Sequence, residues 1–267
     1  MAYVRSMQIQ SSQPRLSLKP NTWKAEGAQQ KLDPQVFEQA DRVTVSLQNP
    51  QAEDALLAAG MALAKDKPLN LHAPDRSHLP WFLQEADLSY PGMVTVVESE
   101  PKKEIDRTPV KDGLRRPQDH DTFIGCLMSG LSKEQYAEGR SHLLAIHTTL
   151  KEKLASPDNF CEGINVGSSD SFGTPKESLV VDLEAIKGSD NCVFYQYDDS
   201  SRPSGMWVEL GAALAWGKPC TLFSPNLNGV PEAIKSGMAG LKIVQYGDHQ
   251  NFQKMLREQP EQLVSAG

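Results

Sequence analysis

The sequence predicts an α/β protein, a doubly wound parallel sheet preceded by a truncated copy of the same unit. Three observations predict it. Short continuous apolar runs, such as Cys192 to Tyr195 and Cys220 to Phe223, alternate with helix-period segments, the pattern of strands covered on both faces of a parallel sheet. The two ends of the chain repeat one another. Gly217 followed by Pro219 closes a later helix ahead of the next apolar run, as a helix-to-strand break does.

The repeat holds its order over several elements. DPQVFEQAD at 33–41 and DLEAIKGSD at 182–190 each hold an Asp, an amphipathic helical stretch and a second Asp eight positions on. A strand-like apolar run follows each, at Val43 to Leu47 and at Cys192 to Tyr195, and then a polar break. An Ala-rich helix ending in Lys-Pro comes next, AAGMALAKDKP at 58–68 against ELGAALAWGKP at 209–219. Beyond Pro68 stand Pro74 and Pro80, and beyond Pro219 stand Pro225 and Pro231, six and six in both copies. Helix and strand propensities do not set proline spacing, so duplication explains the match better than two independent units.

The copies are unequal. The polar, Pro-containing stretch ahead of Asp33 reads as loop, so the first copy, residues 1–98, is truncated. Residues 99–118 are charged, Pro-interrupted and without periodicity, and read as a linker. The second copy, 119–267, opens with a strand at Thr122 to Met128, a helix from Lys133 to Leu154 and a Ser/Gly-rich loop from Ser156 to Pro175. A later helix starts at the Ser201, Pro203, Ser204 cluster and closes at Gly217 and Pro219, so it spans Ser204 to Trp216. Sheets of this flavodoxin- or Rossmann-like kind bind ligands beyond the carboxyl ends of their strands, which points to residues just after strands.

Composition excludes several classes. With 39% hydrophobic residues in 267, the chain has an ordinary globular content and enough length for a core. A net charge of -7 is the wrong sign for neutralising phosphate backbones, so no nucleic-acid partner is expected. Cys126, Cys161, Cys192 and Cys220 show no C-x-x-C pair and no His at ligand spacing, so neither a metal site nor a disulfide framework is expected, and a reducing cytoplasm fits. Met1 to Pro14 holds no signal-peptide core and no run of ~18 apolar residues occurs, so no membrane partner is expected. His142 and His147, five apart, do not share a helix face and read as ordinary helix residues, while Trp81 and Phe82 read as packing a short helix on its sheet.

Glu209 is the anomaly. The helix around it is apolar on one side at Met206, Trp207, Leu210, Ala213 and Leu214, and on the other at Val208, Ala212 and Ala215. A carboxylate buried there needs a partner or gives up its charge. One reading pairs it with a loop arginine such as Arg202. The other makes it a nucleophile, kept ionised by the helix N-terminus and stripped of water by neighbours such as Trp207. The first copy has Ala58 at the position of Glu209, and a purely architectural carboxylate would more readily have been kept in both units.

The run from Asp182 to Pro225, DLEAIKGSDNCVFYQYDDSSRPSGMWVELGAALAWGKPCTLFSP, resembles the central part of the nucleoside 2-deoxyribosyltransferase family and its hydrolase relatives, the deoxynucleoside 5'-monophosphate N-glycosidases. The shared pattern is an Asp-containing helix, a short strand, a loop, a helix bearing Glu-(hydrophobic)-Gly, and a Gly-Lys-Pro exit. It covers roughly 122–246, and the first copy in outline. The resemblance implies an enzyme that cleaves or transfers at the N-glycosidic bond of a small-molecule nucleoside or nucleotide, without a cofactor, and acts as a homo-oligomer.

On that resemblance Glu209 attacks the anomeric carbon, and Asp182 contacts base or sugar and helps the base depart. Asp182 has a second reading as a helix N-cap ahead of Leu183 to Lys187, which Asp33 would repeat. The acidic residue that the transferases carry six positions before the nucleophile is Pro203 here, with Asp198 and Asp199 farther back. The hydrolases bind phosphate at a Ser/Gly turn after the first strand, which corresponds to Ser129 and Gly130, a turn that also reads as a simple cap. Ser204, Gly205 and Trp207, with Asp198 and Asp199, complete the candidate substrate contacts. The loop 167–175 reads either as a ligand cover or as a connector. Two other functions fit less of the pattern: an NAD-cleaving relative of Toll/interleukin-1 receptor domains, from which the close spacing of Trp207 and Glu209 departs, and a non-catalytic nucleotide sensor of the same fold.

Overall fold

The computed structural model describes residues 21–26, 32–47, 53–100, 107–111, 114, 116, 118–126, 131–166, 173–198 and 204–264. The first half contains β1 (Thr22–Glu26), α1 (Pro34–Glu38), β2 (Arg42–Ser46), α2 (Glu53–Ala64), β3 (Leu69–Ala73), α3 (Ala86–Ser89) and β4 (Val94–Glu98). The second contains β5 (His120–Cys126), α4 (Lys133–Lys153), β6 (Asn159–Phe160), α5 (Glu162–Asn165), α6 (Pro175–Gly188), β7 (Ser189–Tyr195), α7 (Gly205–Ala215), β8 (Cys220–Ser224), α8 (Glu232–Lys235), β9 (Leu241–Gln245) and α9 (His249–Glu258). Two sheets result, ordered β1-β2-β3-β4 and β6-β5-β7-β8-β9, with every strand pair parallel. The protein is therefore α/β with the doubly wound parallel architecture that the sequence predicts. Counted within itself, the second sheet runs 2-1-3-4-5, the flavodoxin-like order, and its topological switch point lies between β5 and β7. The first sheet is the same order without strand 2.

Local chemistry explains the elements that matter for the site. A capping box starts α4, with Ser132 Oγ accepting from Gln135 N–H and the Gln135 side chain accepting from Ser132 N–H. Ser204 caps α7 by accepting from Met206 N–H, and Gly217, at φ 71°, ends it. The expected Ser/Gly loop from 156 to 175 instead contains β6 and α5, elements too short for any period to register in the sequence. A second correction concerns Asp182. Thr174 caps α6 with Pro175 as the first helical residue, so Asp182 lies in the middle of that helix and caps nothing. Asp33 does cap α1, which keeps only the C-terminal turns of its α6 counterpart.

The two sheets are covered differently. In the second, α6 and α7 pack with Phe123, Cys192, Phe194 and Leu222, while α4 and α9 cover Ile124, Val193, Tyr195 and Phe223. Both faces of the central β7 and β8 are covered, so these strands are continuous apolar runs. The first sheet buries Val43, Val45, Leu69 and Leu71, and its other face carries Arg42, Thr44, Asn70, His72 and Thr95, half-exposed or exposed. Among the described residues α4 and α9 have no counterpart there. RVTVS and LNLHA alternate accordingly, polar outward and apolar inward.

The halves join through α2 and α7, which approach backbone to backbone. A Cβ on Gly60 would lie 1.8 Å from the Val208 carbonyl oxygen, and one on Gly211 2.1 Å from that of Leu57. Gly60/Gly211 and Leu57/Val208 are each 151 positions apart, the offset that also relates Pro68 to Pro219. The contact is thus reciprocal, an internal pseudo-two-fold between the repeats. Its flanks obey the same rule. Phe82 packs on Gly205 at the start of α7, where a Cβ would meet its ring at 2.5 Å, and Ala233 N–H donates to Asp54 at the start of α2 over 3.1 Å. Phe82 therefore packs across the halves rather than only on its own sheet. One apolar core runs through both halves. The described part of 99–118 is docked too: Thr108 accepts from Lys176 Nζ at 2.8 Å, and Val110 is buried.

Candidate active site

Glu209 occupies the second turn of α7, 9% exposed, and its Oε2 has no hydrogen-bond partner. That oxygen lies over Gly125 in β5. A Cβ on Gly125 would approach it to 2.6 Å and the Phe194 ring to 2.7 Å, so only glycine leaves the space it fills. The carboxylate thereby sits at the carboxyl end of β5, beside the β5–β7 switch point, where ligands bind in open sheets of this order.

Asp182 approaches from α6. It is 6% exposed, and its proton affinity rises well above the ordinary aspartate range because it is buried and because Glu162, Glu209 and Cys161 add negative charge nearby. Glu162, the first residue of α5, accepts a hydrogen bond from Ser178 Oγ at 3.2 Å. Ser178 and Asp182 are four apart in α6 and share a face, so Glu162 meets the helix one turn from Asp182. Burial raises Glu162, and the Ser178 bond opposes it. For Glu209, burial and then the charge of Glu162 push the pKa up to about 8. Cys126, at the end of β5, is raised well above the usual thiol range by its contact with Cys161, by burial and by the charges of Cys161, Glu209 and Asp182. Tyr136 on α4 is raised to about 12, chiefly by burial.

The expected electrostatics of Glu209 are corrected by this geometry. The start of α7 was expected to keep it ionised, but Glu209 lies beyond the cap, no backbone N–H reaches Oε2, and desolvation wins. Both carboxyls are thus raised, Asp182 by burial and by the charges of Glu162, Glu209 and Cys161, Glu209 by burial and the charge of Glu162.

The other sequence candidates fall in three groups. Ser204, Gly205 and Trp207 serve the architecture: a buried cap, the seat of Phe82, and a core side chain only 1% exposed. Asp198 is half-buried after β7. Ser129, Gly130 and Asp199, together with Arg202 and most of the 167–175 loop, lie outside the described residues. Sequence reasoning missed Glu162, because a two-residue strand ahead of it leaves no pattern, and Gly125, which an isolated Gly within an apolar run did signal. It also missed that His142 Nδ1 and His249 Nδ1 share the Tyr195 hydroxyl, at 2.7 and 3.1 Å, beneath α4 and α9.

Fold and site together define an α/β protein of flavodoxin-like order with a buried carboxylate cluster at its switch point. Compared with models of known protein families and with curated proteins, the chain matches none. Among the described residues no helix is long and apolar enough to cross a membrane.

Proposed function

We propose that the protein cleaves or transfers at the N-glycosidic bond of a nucleoside or nucleotide, with Glu209 as nucleophile and Asp182 as the neighbouring acid. The observation that carries this reading is the unpartnered, buried Oε2 of Glu209 at the carboxyl end of β5. A carboxylate there stabilises the positive charge that develops at the anomeric carbon and then captures it as a sugar ester. With its proton held by burial and by the charge of Glu209, Asp182 serves to protonate a neutral base as it leaves. The pseudo-two-fold at Gly60 and Gly211 gives the chain, within itself, the subunit contact that family resemblance assigns to a neighbouring chain; assembly into a homo-oligomer would add to that contact. The cytoplasm is the setting we propose, since the four widely spaced cysteines carry no disulfide framework in their spacing.

The test is incubation of the full chain with deoxynucleosides, ribonucleosides and their 5'-monophosphates, following free base by chromatography and the protein by intact mass. Base release and a sugar adduct are expected, both lost in Glu209→Gln. Absence of base release from every substrate, with nucleotide binding that survives Glu209→Ala, would instead make the protein a sensor.

A further inference from the structure

The duplication shows what the fold needs at the carboxyl ends of its strands. Leu47 N–H donates to the carbonyl of His72 at 2.8 Å, and Gln196 N–H donates to that of Phe223 at 2.9 Å. The next bonds match as well, from Ser99 N–H to Ala73 and from Tyr246 N–H to Ser224. Leu47 is therefore the counterpart of Gln196 and Ala73 that of Ser224, beside Ala58 for Glu209. In the first half all three side chains are apolar and lie in the core; in the second they are an amide, a hydroxyl and a carboxyl, equally buried. One backbone frame closes on apolar residues, so burying polar ones in their place costs free energy that the architecture does not require.

The three polar groups share a face. Phe194 and Leu222 pack toward α6 and α7, and Tyr195 and Phe223 toward α4 and α9, so alternation returns Gln196 and Ser224 to the α7 side. Glu209 Oε2 and the Phe194 ring border one point above Gly125, and Gln196 follows Phe194 by two residues, roughly 7 Å along the strand. The backbone of Gln196 is held at both ends, by its bond to Phe223 and by the Tyr246 hydroxyl, which donates to its carbonyl at 2.8 Å.

Hydrogen-bond accounting leaves one end of the Gln196 amide bare. As placed, Oε1 faces Ser224 Oγ at 2.8 Å, and the buried Nε2 has no partner among the described residues. The Ser224 hydroxyl has a single proton, however, and the Asn226 carbonyl, which can only accept, also lies against it. Turned end for end, the amide donates from Nε2 to Ser224 Oγ, the hydroxyl proton goes to Asn226, and Oε1 is the bare atom.

We infer that Gln196, backed by Ser224, is a specificity-determining residue of the Glu209 site, whose side-chain carbonyl accepts a hydrogen bond from a donor on the substrate, either an exocyclic amine of the base or a hydroxyl of the sugar. This rests on the reading of Glu209 as nucleophile and adds what the site selects for. An analogue without the donor leaves the buried acceptor unpaired, and such a site rejects it more strongly than an apolar pocket rejects a change of size.

The test compares the full chain with Gln196→Leu, which copies the first half, and Gln196→Met, which keeps the length of the side chain. Urea unfolding is expected to show a midpoint held or raised in both, because an amide serving a ligand is not needed for folding. Binding is read as a thermal shift with 2'-deoxyadenosine, with purine 2'-deoxyriboside, which lacks the amine, and with 2',3'-dideoxyadenosine, which lacks the 3'-hydroxyl, each also as its 5'-monophosphate. The unaltered protein is expected to prefer 2'-deoxyadenosine to one of the two analogues by roughly tenfold or more, which identifies the donor, and both variants are expected to lose that preference. Lowered midpoints in both variants, a preference that survives in them, or no preference in the unaltered protein would overturn the inference. Glu209-dependent base release at equal rates from all three probes would overturn it and leave the glycosidase reading standing. A donor preference that the variants lose, with no base released from any probe, would do the reverse.

Discussion

Glu209 stands under two opposed pressures, since the role we propose asks for its charge and burial removes it. Its folded pKa of about 8 lies above the ordinary glutamate value of 4.5, so the folded protein holds a proton that the unfolded chain releases. The resulting penalty is absent below pH 4.5, grows as pH rises and is complete above about 8. Glu209→Gln is therefore expected to stabilise the protein by on the order of 5 kcal/mol above pH 8 and to leave it unchanged near pH 4, measured by urea unfolding at each pH. On the proposed glycosidase reading, the same variant is expected to release no base. In the unaltered protein kcat/KM is expected to climb toward pH 8 as Glu209 ionises, with an alkaline decline because the leaving base needs the proton on Asp182. Gly125→Ala puts a methyl group against Glu209 Oε2 and the Phe194 ring; a loss of about 1 to 3 kcal/mol and loss of base release are expected, read by denaturation and by chromatography.

Among the elements, α2 and α7 make the most demanding contact. No side chain fits between Gly60 and the Val208 carbonyl, or between Gly211 and that of Leu57. Gly60→Ala or Gly211→Ala must separate the helices, and each is expected to cost at least ~2 kcal/mol. Because one separation relieves both clashes, the double variant should cost less than the sum, which a denaturation cycle measures. The cluster between α4 and α9 gives an acid-side prediction. Burial, then the charge of His249, lowers His142 below the usual histidine value of 6.5, so protonating it costs stability as pH falls through that value. His142→Asn should flatten that acid limb. These contacts were only partly readable from residues. The Lys-Pro and proline spacings located α2, α7 and their strands to within a few positions, since duplicated punctuation survives divergence. RVTVS, expected only as part of an apolar run at Val43 to Leu47, and LNLHA alternate as strands of a one-sided sheet do. Glu162 and the true place of Asp182 were hidden because β6 and α5 are shorter than any period, and a mid-helix Asp looks like a cap when the cap eight residues earlier goes unrecognised.

At the scale of the whole molecule, the boundary near residue 118 falls between the sheets, but the core does not divide there. Chain 119–267 alone would expose the apolar flank of α7 around Val208 and Gly211 that α2 covers, and would lose the Phe82 contact at Gly205. It is expected to associate or precipitate and to lose base release, and to recover when residues 1–118 are supplied, tested by gel filtration and assay. A folded, fully active monomer from 119 onward would show that the first half contributes nothing to the site.

The pairing of Gly60 with Gly211 also frees the protein from a constraint that binds every symmetric dimer. In a homodimer one gene edit is written twice, once on each side of the axis, so a change that suits one side must be tolerated by the other. Here the two sides are encoded separately. Ala58 and Glu209, a methyl group and a buried carboxyl at equivalent positions of α2 and α7, are the kind of unlike pair that only such a fused couple can keep.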